Sequence, residues 1–259
     1  MRGISSAIKG LGATLATVMV AVTLASCSGG GHPAGAPGHT SQTTTRSSKS
    51  KTASLPSAPA GSVLLATTHG TIPGYAAPGG AKSVSIPAMW HGAISTLPVI
   101  WAKPGWLDVR LAQRPNGSTA WVRDSAVSLT STPYRIVVNL KTTRIYLYKS
   151  GHMIFSAPAG VGTTADPTPT GQYFVAFFAS PPSSGYGAFV LVSSAHSNTI
   201  SDWEESGDAL MAIHGPLGAD SEIGTTGALV SHGCVRLHEA DLLHLRQVPA
   251  GSPIDVVAS

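Results

Sequence analysis

From about residue 62 to residue 257 the chain is written in short runs of alternating apolar and polar residues, each broken by turn chemistry. Period-two alternation marks a strand with one buried face, because successive side chains leave opposite sides of the backbone. Trp106-Leu107-Asp108-Val109-Arg110-Leu111 is such a run. Arg114-Pro115-Asn116-Gly117 supplies a turn, and Thr119-Ala120-Trp121-Val122 returns as its partner strand. Residues 134–140 and 144–149 form a second pair of β-rich runs. Residues 152–155, 173–178, 188–193, 211–213 and 254–257 read as further strands. Residues 239–245 have helical apolar spacing, and Pro249 and Gly251 stop that helix. A chain without long helical periods must bury its apolar surface between sheets, so the expected class is mostly β.

The first quarter of the chain carries no such pattern. Arg2 and Lys9 precede an apolar stretch from Leu11 to Leu24 that is too short to span a bilayer and suits a signal-peptide core. Leu24-Ala25-Ser26-Cys27 follows and resembles the lipobox of bacterial lipoproteins. That resemblance implies a signal peptide over 1–26, cleavage before Cys27 and a lipid on its sulfur. Residues 27–61 are rich in Gly, Ser, Thr, Pro and Ala and read as a disordered tether, spanning on the order of 30 Å. The formal charge of +4 belongs largely to this part: five of the sixteen bases and none of the twelve acids lie before Ser62, so the remainder carries −1. A nearly neutral folded part makes nucleic acid an unsuitable partner. Residues 62–131 hold Trp90, Trp101, Trp106 and Trp121. The hairpin within this stretch resembles bacterial SH3-like domains, and its tryptophans are expected mainly in the core.

The chemistry concentrates near the C-terminus. Ser231-His232-Gly233-Cys234-Val235-Arg236 follows an isolated Ile213-His214-Gly215. Cys234 is one of two cysteines, and with Cys27 lipidated it has no disulfide partner. A thiol near neutral pH is mostly protonated, so a nucleophilic cysteine needs a histidine within reach. His232 is close in sequence, while His214 can arrive from a neighbouring strand, as bases in such sites usually do. Gly233 has no β-carbon and lets a substrate carbonyl approach the backbone. The amides of Gly233 and Cys234 are candidate donors to a developing oxyanion. A zinc site built from His214, His232, Cys234 and His238 is the rival reading. It has few cysteines for structural zinc, so no metal and no cofactor are expected.

With Val161-Gly162-Thr163, Thr168-Pro169-Thr170-Gly171, Tyr186-Gly187-Ala188-Phe189 and Ser194-Ala195-His196-Ser197, these motifs resemble the L,D-transpeptidases of bacterial cell walls over residues 133–257. The resemblance implies a β-sandwich catalytic domain with a short helix, preceded by the SH3-like module. It makes Cys234 the nucleophile and His214 its base, oriented through its other ring nitrogen by a backbone carbonyl. His232 joins the catalytic group, while Ser231, Gly233 and Gly215 support the oxyanion region. Arg236 and Tyr186 would meet the substrate. The implied reaction forms 3→3 cross-links through a cysteine thioester on the peptidoglycan stem tetrapeptide. An L,D-carboxypeptidase or a protein-to-peptidoglycan ligase would share that acyl-enzyme, and a non-catalytic wall-binding lipoprotein would share only the fold. The expected partners are peptidoglycan stem peptides and, through Cys27, the membrane. The expected form is an extracytoplasmic monomer facing the cell wall. Residues 200–208, with Asp202, Glu204, Glu205 and Asp208, read as a solvated loop. As a flap, their acids would attract a stem-peptide amine.

Overall fold

The computed structural model describes residues 54–225 and 228–258. The signal peptide, Cys27 and most of the tether lie outside the described residues. The described residues fall within one compact unit, mostly β, with a single α-helix of five residues among them.

Two large sheets carry the fold. The first has seven strands in the order Lys82–Ile86, Ile72–Tyr75, Thr119–Arg123, Trp106–Arg110, Thr96–Lys103, Val63–Thr68 and Val127–Thr132. The hairpin expected from alternation forms with Trp106 opposite Arg123 and Val109 opposite Ala120. Its Leu107, Val109 and Val122 are fully buried, while Asp108, Trp121 and Arg123 face the other side. Pro133 separates this sheet from the second.

The second sheet has eight strands. Their order is His152–Pro158, Arg144–Lys149, Tyr134–Asn139, Pro253–Val257, Gly171–Ala179, Val190–His196, Leu210–His214 and Val235–Arg236. The C-terminal strand runs parallel to Tyr134–Asn139, pairing Ile136 with Ile254. It therefore inserts between Tyr134–Asn139 and Gly171–Ala179, pairing with both. Strand Val190–His196 is buried at all seven positions, as expected for a strand covered on both faces. Helix Glu239–Leu243 packs Leu242 into the same core as Ile136, Leu147, Leu191 and Leu237. Acidic residues occupy its first turn, where the helix dipole favours them.

Strand Gly171–Ala179 joins the two halves. Tyr173 and Val175 enter the core of the second sheet, while Phe174 and Ala176 enter the core of the first. Alternation here feeds two cores, because both faces of the strand are covered. Hydrogen bonds reinforce the junction. Arg114 donates to Asp208 Oδ1 (Nε, 2.9 Å) and to the Ser197 carbonyl (Nη1, 3.0 Å), and Asn116 Nδ2 donates to the His196 carbonyl at 2.7 Å. The His196 amide returns a bond to Asn116 Oδ1 at 2.9 Å. The turn of the first hairpin thus grips the segment from His196 to Asp208.

Candidate active site

The site forms where the last strands of the second sheet end. Strand Leu210–His214 lies parallel to Val235–Arg236, with Ile213 opposite Val235 and His214 opposite Arg236. Cys234 sits one residue before the second strand. Two short parallel strands thus deliver the thiol and the imidazole to one cavity of about 70 Å³, lined also by Tyr186, Trp203, Met211, Ser231, His232 and Arg236.

His214 is buried, and its Nδ1 lies 2.8 Å from the Gly215 carbonyl oxygen. A carbonyl only accepts, so Nδ1 carries the proton and Nε2 is left as a base. Burial, with the Arg236 charge adding to it and the Gly215 bond opposing it, lowers the His214 pKa to about 4. The ring is therefore neutral at pH 7. The Tyr186 ring packs on it with centroids 4.7 Å apart. Burial also raises the Tyr186 phenol, and the Cys234 and Glu204 charges add to that.

Cys234 is a free, half-buried cysteine. Burial pushes its thiol up, against an opposing bond from the Ala212 amide and the Arg236 charge. A neutral thiol beside a neutral imidazole is the resting pair this environment favours, rather than a thiolate–imidazolium pair.

The turn before Cys234 is tightly specified. Gly233 has φ +113°, a region favourable only to glycine, and a β-carbon there would meet Met211 Sδ at 2.5 Å. Ser231 Oγ donates to the Cys234 carbonyl at 2.5 Å and accepts from the Gly233 amide at 3.1 Å. Ser231 is buried. The Gly233 N–H is thus committed within the turn, which leaves the Cys234 N–H as the freer of the two amides expected to act as donors.

The other candidates take distinct places. His232 lies at the rim, its side chain 60% exposed, tilted against Trp203 with centroids 5.2 Å apart. Gly215 donates its amide to the Tyr186 carbonyl at 2.8 Å, and a β-carbon on it would meet Gly187 N at 2.8 Å. Its role in this geometry is to seat the Ser184–Tyr186 turn against His214. Arg236 is held by backbone bonds to Gly160 in both directions, at 2.8 Å each. Its Nη1 donates to the Leu217 carbonyl at 3.3 Å, and its buried Nε has no partner. His238 is paired with Asp220 at 2.8 Å. Among the described residues no group of three or more His, Cys, Asp or Glu side chains is placed to hold a metal ion.

Thr168 is a site residue that motif reading passes over as part of a loop. Its buried hydroxyl accepts from the Gly162 amide at 2.9 Å and donates to the Gly233 carbonyl at 2.8 Å. It ties the loop after Val161–Gly162 to the turn that aims Cys234. The only signal in the sequence is the Thr-Pro-Thr-Gly motif itself. The acidic segment divides as well. Burial alone would raise the Asp208 carboxyl, but the Ala209 amide, Arg114 and His196 hold it below the usual carboxylate range. Glu204 and Glu205 stay exposed, with φ of +52° and +61°.

The fold and the cleft together define a β-sheet protein that places a thiol and a buried, tautomer-fixed imidazole in one pocket. Residues 133–256 match the family model of the YkuD L,D-transpeptidase catalytic domain, and this segment is such a domain. Two curated relatives assigned as L,D-transpeptidase YkuD are similar over 125 residues, 48% of this chain. The one from Bacillus licheniformis is 28% identical and the one from Bacillus subtilis 25%, and the match spans 66% of each relative's length. Among solved structures, an L,D-transpeptidase from Mycobacterium smegmatis aligns with 62% of this chain and 82% of its own, at 19% identity and a TM-score of 0.38. The L,D-transpeptidase LdtMt1, solved in complex with imipenem, aligns with 75% of this chain and 82% of its own, at 17% identity and a TM-score of 0.41.

Proposed function

We propose that this chain is a cysteine-dependent L,D-transpeptidase that forms 3→3 cross-links in peptidoglycan. The observation that carries the reading is the convergence of Cys234 and His214 on one cavity from adjacent parallel strands, with His214 Nδ1 satisfied by Gly215 so that Nε2 is free to take a proton. In the first step Nε2 takes the Cys234 proton and the sulfur attacks the carbonyl of the third stem residue. The tetrahedral oxyanion is met by the Cys234 amide. On collapse the bond to the terminal D-alanine breaks, and the imidazolium returns its proton to the leaving amine. In the second step the side-chain amine of an acceptor stem attacks the thioester, gives up a proton to His214 and releases the thiol. Arg236, with a buried N–H unpartnered, suits a carboxylate of the stem peptide. His232 and Trp203 form the rim past which the acceptor enters.

The same acyl-enzyme resolved by water gives a carboxypeptidase, and resolved by a protein amine gives an attachment enzyme. The exposed acids Glu204 and Glu205 at the rim favour an amine acceptor over water, because they raise the local concentration of a cation. The lipid on Cys27, the 27–61 tether, an SH3-like module over 62–131, a monomeric state and a wall-facing location complete the proposal.

Intact-protein mass spectrometry with a carbapenem tests it. Ring opening of a β-lactam by a thiol adds the whole inhibitor mass, so one adduct is expected on the native chain and none on Cys234→Ala. A folded native chain that stays unmodified would sink the acyl-enzyme reading. Muropeptide analysis with donor tetrapeptides then separates an amine acceptor from water.

A further inference from the structure

Trp106 is buried and Trp90 packs against the core, as the sequence leads one to expect, but Trp101 and Trp121 do not join it. Strand pairing aligns Trp101 with Asp108, Asp108 with Trp121 and Trp121 with Tyr75, in one row across four adjacent strands. The row lies on the face opposite the buried Leu107, Val109 and Val122. Trp101 is 64% exposed, and Trp121 and Tyr75 are half-buried. Trp106 lies on the same side, beneath Tyr75 and Arg123, with centroid separations of 5.2 and 3.8 Å.

The polar groups on this face restrict what it can receive. Asp108 Oδ1 is buried between the two indoles' strands and has no hydrogen-bond partner. A buried acceptor left open calls for a donor. Lys103 sits 5.0 Å from the Trp121 ring, and Arg123 and Arg110 flank the row. Three cations against one carboxylate give the face a net positive charge. An aromatic cage for an ammonium group would carry the opposite sign. Phosphate-rich strands would suit the cations but would meet Asp108 at the centre of the row. A neutral polyhydroxyl ligand with occasional acidic substituents fits both facts. Trp101 and Trp121 stand two strand spacings apart, ~9.5 Å, which is commensurate with a disaccharide.

We propose that this face binds a glycan chain: the indoles of Trp101 and Trp121 stack on the C–H faces of alternate sugar rings, the half-buried Asp108 carboxylate accepts a hydroxyl or N-acetyl N–H between them, and Lys103 and Arg123 meet acidic substituents. The site stands apart from the Cys234 cavity and does not rest on the acyl-enzyme reading. It would hold the catalytic half against a polysaccharide while stem peptides are sampled.

The test is isothermal titration of the full chain with a β-1,4-linked N-acetylglucosamine tetramer, alongside the same titration of Cys234→Ala. Saturable binding is expected in both. Trp101→Ala and Trp121→Ala should each weaken it roughly threefold to tenfold, the order expected for losing one stacked ring. Trp101 is exposed enough that its variant should keep the native melting temperature, while Met153→Ala on the second sheet should leave binding unchanged. Absence of binding at millimolar tetramer, binding indifferent to both tryptophans, or saturation instead by an oligonucleotide or a free stem peptide would overturn the proposal. A missing carbapenem adduct would leave it standing.

Discussion

At His214 the environment removes a charge. Its ordinary pKa of 6.5 falls to about 4 in the fold, chiefly through burial. Between those values an unfolded chain binds a proton that the folded one refuses. Stability therefore falls as pH drops from about 6.5 to about 4, by up to ~3 kcal/mol from this residue, and flattens below that. Urea midpoints across this range should show the slope in the native chain and a shallower one in His214→Gln. The thiol behaves oppositely: burial raises it above its usual 9.0, so alkylation of Cys234 by iodoacetamide should keep climbing with pH beyond the point where a free cysteine levels off. An early plateau near neutral pH would mean that the pair rests as thiolate and imidazolium. At this scale much was legible, because residue type and spacing named Cys234 and both histidines. What spacing could not tell was which amide is spoken for: Ser231 claims the Gly233 N–H through a bond that depends on the turn's closure.

Among elements, the loop after Val161–Gly162 braces the turn that carries Cys234. Thr168 bridges Gly162 and Gly233 through one buried hydroxyl. Thr168→Val keeps the shape and orphans both groups, so it should cost ~1–3 kcal/mol and slow acylation. Thr168→Ser should restore most of both, read by thermal melts and by the rate of adduct formation. Gly162 allows no β-carbon, since one would collide with the backbone of Asp166 and Thr168. Strand and helix positions were visible in the sequence because alternation and apolar spacing are local. The two faces of the first hairpin were less so: Trp121 reads as a core residue, yet register turns it to the side away from Leu107 and Val122, where only Trp106 is buried as expected. Alternation says that two faces exist, and only pairing with neighbours says which is covered.

Over the whole molecule, Phe174 is the residue to test. It is 1% exposed and lies in the core of the first sheet while its neighbours Tyr173 and Val175 lie in that of the second. Phe174→Ala should cost about 3–5 kcal/mol, and calorimetry should show one transition moving down rather than one of two. Two separate transitions in the native chain would mean that the halves fold independently. The grip of Arg114 and Asn116 on residues 196–208 has a related consequence. The segment carrying Trp203 and Glu204 to the cleft rim is anchored at its base by the first sheet.

The sequence by itself determined the mostly β class, the family resemblance of residues 133–257 and the candidate thiol Cys234, because each is written in local period, residue type and short motifs. Tertiary structure alone decided that Gly215 supplies the carbonyl that holds His214 Nδ1, that Thr168 ties the cysteine turn in place, and that strand Gly171–Ala179 serves two cores. It also decided that Trp101 and Trp121 lie on the face opposite Leu107 and Val122, on either side of Asp108. These depend on which strands become neighbours and in what register, and that is set by burial over the whole chain rather than by any stretch of it.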